Sequence, residues 1–143
     1  MAPASHIAIV TGANKGIGYS VVKHLALQYP SSAFSHNGTV PFLIYLTARD
    51  KSRGEAALQA LYADGDLKKA KALTQDGGLS TIKYHGLDIS NAQSIKEAGD
   101  FMKKEHPEGI DILVNNAGIA LNGFSRLIYP SPHNTDFIKQ TFG

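Results

Sequence analysis

Eight residues near the start of the chain, Thr11-Gly12-Ala13-Asn14-Lys15-Gly16-Ile17-Gly18, constrain what the rest can fold into. They follow a short apolar run, His6-Ile7-Ala8-Ile9-Val10, and lead into a segment with helical spacing that reaches Tyr29. A continuous apolar run bounded by turn chemistry has the pattern of a strand buried on both faces. When such a strand ends in a glycine-rich bend and opens a helix, it makes an anion site. Glycines let the backbone come close to a phosphate, and the first free N–H groups of the helix point at it. Glycines also cost folding entropy that a plain turn does not require. The loop therefore points to a chain that holds the pyrophosphate of a dinucleotide. It carries one more residue between its first two glycines than the usual Gly-x-Gly-x-x-Gly fingerprint.

The remaining pattern predicts what surrounds that loop. A helix is expected from Gly16 to about Gln28, with Ile17, Val21, Val22, Leu25 and Leu27 facing inward and Pro30 stopping it. Residues 30–41 read as a loop rich in Ser, Gly, Asn and Pro. A second apolar strand follows at Phe42 to Thr47, then a helix carrying Ala56, Ala57, Leu58, Leu61 and Tyr62. Asp64 to Gly78 is polar, with Leu67, Ala70 and Leu73 hinting at one short extra helix. Thr81 to Leu87 gives a third strand ending at Asp88, and Ser90 is a suitable N-cap for a helix with Ile95, Ala98, Phe101 and Met102 inside. Ile110 to Val114 is a fourth strand running into Asn115-Asn116-Ala117-Gly118. Leu121 to Asn134 shows no clean period, and Thr135 to Phe142 could open another helix.

Strands alternating with helices imply parallel pairing through right-handed crossovers, with helices on both faces. The expected fold is an α/β, doubly wound parallel sheet of four strands, one domain over residues 1–143. Ligands of such sheets bind at the carboxyl ends of the strands. The glycine loop, Arg49, Asp88 and Asn115-Asn116 all fall at such ends. A net charge of +2 is too small to argue for nucleic acid or an anionic membrane, and Lys68, Lys69 and Lys71 read as a solvated helix face. There is no cysteine, hence no disulfide and no thiolate chemistry. No signal peptide or membrane-length apolar run is present, so the cytoplasm is the expected compartment.

The glycine loop and Asn115-Asn116-Ala117-Gly118 together resemble the short-chain dehydrogenase/reductases. Leu46-Thr47-Ala48-Arg49-Asp50, Leu87-Asp88-Ile89 and Asp111-Ile112-Leu113-Val114 look like the carbonyl reductase branch of that family. The likeness covers residues 6–120 and implies a Rossmann fold. It also implies that Gly12, Gly16, Ile17 and Gly18 line the pyrophosphate, with Asn14 and Lys15 in the same cofactor-binding loop. Asp88 would accept a hydrogen bond from the adenine amino group, with the Ile89 backbone beside it. Asn116 would touch the cofactor near its nicotinamide, while Asn115, Ala117 and Gly118 would tie the fourth strand to the glycine loop.

Charge addresses the choice of cofactor. An NAD site needs an acid at the end of the second strand to hold the ribose hydroxyls, and here the strand ends Thr47-Ala48-Arg49. A guanidinium can grip a 2′-phosphate in a forked geometry, and Lys15 adds a second cation. The pattern favours NADP(H). Arg49 has a plainer alternative, a surface ion pair with Asp50 or Glu55, and Asp50 is an acid one residue late.

The family reduces carbonyls with a tyrosine and a lysine four residues on. The pattern occurs here once, at Tyr19 and Lys23, on the helix that follows the phosphate loop rather than far downstream. It is a decoy, and no catalytic residue is assigned. The expectation is a carbonyl reductase-like oxidoreductase truncated before its catalytic half, acting on a small-molecule carbonyl if the full-length enzyme exists. The alternative is a non-catalytic NADP(H)-binding fragment or a sensor of the redox ratio. His24, His85 and His106 lack the spacing of a metal or hydrolytic site.

Overall fold

The computed structural model describes residues 4–118. Four strands, β1 (His6–Val10), β2 (Phe42–Ala48), β3 (Ser80–Gly86) and β4 (Ile112–Val114), form one parallel sheet in the order β3-β2-β1-β4. The helices are α1 (Gly16–Gln28), α2 (Lys51–Tyr62), the short α3 (Gly65–Lys69) and α4 (Ala92–Glu105). The expected α/β architecture is the observed one. The aperiodic stretch from Leu121 and the helix expected at Thr135 lie outside the described residues.

The pleat sorts the strand side chains into two layers. Ala8, Val10, Ile44 and Leu46 pack with Val22 and Ala26 of α1, Ala57 and Leu61 of α2 and Leu67 of α3, all fully or almost fully buried. Each large aliphatic group in that layer contributes about 1.5–3 kcal/mol. Ile7, Ile9 and Tyr45 point to the other face, where Met102 of α4 meets them. That second layer is thinner, and the apolar side chains around it remain open. Leu113 is 58% exposed, Ile95 49% and Ile110 39%.

Several elements differ from the sequence reading, each for a local reason. Asn91, not Ser90, caps α4, its side-chain oxygen accepting from the N–H groups of Gln93 and Ser94. Ser90 is instead drawn onto Asp88, donating from both its hydroxyl and its N–H to Oδ1. The loop over 30–41 contains two 3-10 turns, Tyr29–Ser31 and Ala33–Ser35. Tyr29 anchors it by stacking on Phe42 and by donating to the Val40 carbonyl at 2.9 Å. The polar stretch after Asp64 holds α3, capped by Asp64 and held to α1 by Lys23, which pairs with Asp64 at 3.0 Å and Asp66 at 2.8 Å. β4 begins at Ile112 rather than Ile110. Before it, Asp111 bonds β1 twice, its N–H donating to the Ile7 carbonyl (2.9 Å) and Oδ2 accepting from the Ile7 N–H (2.7 Å). Ile17 and Ile95 were expected inside and are exposed, because neither points at a covered layer.

Candidate functional site

Strand register fixes the site. Val10 pairs with Leu46 and Val114, and Leu46 with Tyr84, so the strands end nearly level. The residues just past those ends therefore gather along one edge of the sheet. They enclose a cleft of about 570 Å³ whose walls include Gly12, Asn14, Lys15 and Gly16 after β1, Arg49 and Asp50 after β2, Leu87, Asp88 and Ile89 after β3, and Asn116, Ala117 and Gly118 after β4. Arg53, one turn into α2, completes one wall. Of the residues singled out from sequence, Ile17 and Gly18 do not line this cleft. Ile17 projects into solvent at 76% exposure. Gly18 is buried behind the loop.

The glycines do different work. Gly12 and Gly16 both sit at φ +61, in the left-handed region that glycine occupies without strain. A Cβ on Gly12 would fall 2.9 Å from the Ala117 Cα, so the loop rests directly on the backbone after β4. A Cβ on Gly18 would strike the Gly12 carbonyl oxygen and come within 2.7 Å of Asn116 Nδ2. Gly16 has nothing within 4 Å of where its Cβ would be. Two glycines thus allow close packing, and the third leaves open space at the start of α1.

Thr11 locks this arrangement, a role that sequence reading missed. Its buried hydroxyl donates to the Val114 carbonyl (3.3 Å) and accepts from the N–H groups of Asn116 and Ala117, both at 3.0 Å. Asn116 adds a second tie, its Nδ2 donating to the Gly12 carbonyl at 3.1 Å. The link between β4 and the glycine loop therefore runs through Asn116 and Ala117. Asn115 faces the opposite side, onto the apolar layer of α4. The Ala13 N–H donates to the Thr47 carbonyl at 2.9 Å and fastens the loop to β2 as well.

The charged groups of the cleft are unevenly committed. Asp50 caps α2, Oδ1 accepting from the Arg53 N–H at 2.9 Å. Glu55 lies 3.9 Å from Lys51. The alternative ion pair for Arg49 does not form, and among the described residues Lys15, Arg49 and Arg53 make no salt bridge. Asp88 is held below the usual carboxylate range, first by the Ser90 hydroxyl and N–H and, more weakly, by the charge of Arg49. It is therefore an ionised acceptor, with Oδ1 occupied by Ser90. Arg53 could have been found from sequence, since it lies four residues after Arg49 at the start of an expected helix.

The decoy pair is explained by its contacts. Lys23 is spent on Asp64 and Asp66, and the Tyr19 hydroxyl is pushed up by burial and by the charge of Asp64 despite nearby Lys23. A proton donor needs the reverse. The histidines are also engaged locally. His24 Nδ1 lies 2.8 Å from the Ser20 carbonyl, His85 Nδ1 2.8 Å from that of Gly86, and His106 Nε2 2.8 Å from the Tyr45 hydroxyl. Among the described residues no group of three or more His, Cys, Asp or Glu could hold a metal, and no helix is long and apolar enough to cross a membrane.

A family model described as short chain dehydrogenase matches residues 6–132. The chain belongs to the short-chain dehydrogenase family. It is 39% identical over 132 residues to carbonyl reductase (NADPH) 3 of Rattus norvegicus, covering 92% of this chain and 37% of that protein. It is 41% identical over 120 residues to carbonyl reductase (NADPH) 1 of Homo sapiens, covering 84% and 34%. In structure it resembles menthone neomenthol reductase from Mentha piperita, with a TM-score of 0.58, 30% identity and coverage of 81% of this chain and 32% of that one. The chain thus spans about a third of the length of the curated relatives it matches.

Proposed function

We propose that this chain is the NADP(H)-binding portion of a carbonyl reductase-like oxidoreductase, one NAD(P)-binding domain whose catalytic half lies outside it. The observation that carries this reading is the distribution of charge in the cleft. Three cations without salt-bridge partners among the described residues, Lys15, Arg49 and Arg53, share its lining, while the nearest acid to the β2 end, Asp50, is spent on a helix cap. A 2′-phosphate suits that wall, and a pair of ribose hydroxyls does not. The names of the relatives, which include NADPH, support the same choice.

Within this reading Gly12, Asn14, Gly16 and the first turn of α1 at Ile17 and Gly18 take the pyrophosphate. The open space at Gly16 admits it, and Gly18 acts from behind by letting the loop close down. Asp88 accepts from the adenine amino group through its uncommitted oxygen, with the Ile89 backbone alongside. Asn116 holds its Nδ2 on Gly12 and so keeps Oδ1 for the nicotinamide side, while Ala117 and Gly118 form the floor. The cofactor, when bound, supplies or accepts hydride, and a small-molecule carbonyl or alcohol is the other reactant. This chain's residues bind and orient.

Titration of the purified chain with NADPH and with NADH tests the assignment. The expected result is tighter binding of NADPH, lost in Arg49→Asp by about ten- to a hundredfold, the value of one or two charge-assisted hydrogen bonds. NADH affinity should change little. Equal loss of both would refute the 2′-phosphate role. The competing reading, a non-catalytic NADP(H)-binding fragment or redox-ratio sensor, separates by transcript. An open frame past Gly143 bringing a serine and a Tyr-x-x-x-Lys pair supports the enzyme, and a stop there supports the fragment.

A further inference from the structure

Far from the cleft, at the amino ends of the strands, the loop before β2 carries Asn37-Gly38, and we propose that Asn37 is a site of spontaneous deamidation. The chemistry needs only this dipeptide and water. The Gly38 backbone nitrogen attacks Cγ of Asn37, a C–N bond forms, and the side-chain amide nitrogen leaves as ammonia. Water then opens the cyclic imide at either carbonyl, giving aspartate or isoaspartate with no oxidant or reductant.

The structure leaves both residues exposed to solvent. Asn37 is exposed, and its side chain makes no hydrogen bond within the described residues. It holds φ 60, between His36 at φ 46 and Gly38 at φ 79, so three successive residues lie in left-handed backbone. That run is short of regular structure and open to solvent. A Cβ on Gly38 would meet nothing within 4 Å, so the space beside its Cα is open. The one contact that opposes attack is the Gly38 N–H donating to Ser35 Oγ, which is long at 3.3 Å. Ser35 is itself committed, its hydroxyl lying 3.0 Å from the carbonyls of both Pro30 and Ser32. The other asparagines of the described residues, Asn14, Asn91, Asn115 and Asn116, are followed by Lys, Ala, Asn and Ala, whose side chains hinder the same step.

The consequence is local and electrostatic. A new carboxylate would sit next to His36, whose ring stacks on His6 at 6.2 Å, and His6 pairs with Asp111 at 3.3 Å. An isoaspartate would also lengthen the backbone where Thr39 and Val40 both donate to the Ser35 carbonyl.

The test is incubation of the full chain at mildly alkaline pH, followed by peptide mapping for the amide-to-acid mass shift and for isoaspartate, with circular dichroism to follow folding. Asn122-Gly123 is the same dipeptide elsewhere in the chain and serves as the internal standard for the chemistry. Conversion of Asn37 while the far-UV spectrum is unchanged, ahead of Asn14 and Asn91, supports the proposal. Asn37 remaining an amide while Asn122 converts would overturn it. So would conversion only after the spectrum is lost, or no conversion at either site.

Discussion

Among the described residues a polar cleft and an apolar one can be set side by side, and they were made by different means. The polar one, about 570 Å³, sits past the carboxyl ends of four strands and is held by hydrogen bonds from backbone to backbone and through Thr11 and Asn116. The apolar one, about 680 Å³, lies on the α4 face, where Ile9, Ile95, Met102, Ile110 and Leu113 form part of its wall. The first is organised by the described residues themselves. The second is a sheet face over which, among the described residues, α4 packs. The difference teaches that a polar cleft can be assembled from the segments that follow strand ends, whereas a hydrophobic layer is complete only when something covers it.

The comparison can be broken by mutation. The largest effect is expected on the closed face, where Ile44→Ala should cost about 2–5 kcal/mol in urea unfolding, because Ile44 is fully buried and leaves a cavity. Gly18→Ala should come next, at about 1–3 kcal/mol, since the new methyl has to displace Gly12 and Asn116. It should also weaken NADPH binding, which separates it from a purely structural lesion such as Ile44→Ala. The smallest effect is expected on the open face, where Leu113→Ala should change stability by no more than about 0.5 kcal/mol. A cost near that of Ile44→Ala would show that the open layer is covered in solution.

Acid sharpens the picture at the opposite end of the sheet. Asp111 is held below the ordinary carboxylate range chiefly by the Ile7 N–H, with His6 assisting and burial opposing. Its folded value is depressed, so the stability it contributes is present above the ordinary carboxylate pKa of about 3.9 and is lost as pH falls through the folded value. Asp111→Asn should therefore flatten the acid limb of the stability profile. An unchanged limb would sink that account.

Much of the lining of the candidate site was legible in the sequence because strand-end positions follow from counting. Once Val10, Ala48, Gly86 and Val114 are strand ends, Gly12, Arg49, Asp88 and Asn116 fall on one edge whatever the details of packing. Less legible were contacts that depend on where two separate segments meet. Thr11 looked like an ordinary loop residue, and only the return of β4 beside β1 makes its hydroxyl a three-way tie. Asn91 displaced Ser90 as cap because Asp88 takes Ser90 first. The helical stripes misled at Ile17 and Ile95, since periodicity tells which side is apolar and not whether a neighbour covers it.

The sequence alone determined the alternation of strand and helix and the family, because these rest on local conformational preference and on residue type. Only the tertiary structure decided how the three glycines divide their work. Gly12 and Gly18 answer to Ala117, Asn116 and each other, and Gly16 answers to empty space. The same holds for charge. That Lys15, Arg49 and Arg53 line one cleft and stay without salt-bridge partners among the described residues depends on which carboxylates lie within reach, and spacing along a chain does not fix distance between segments.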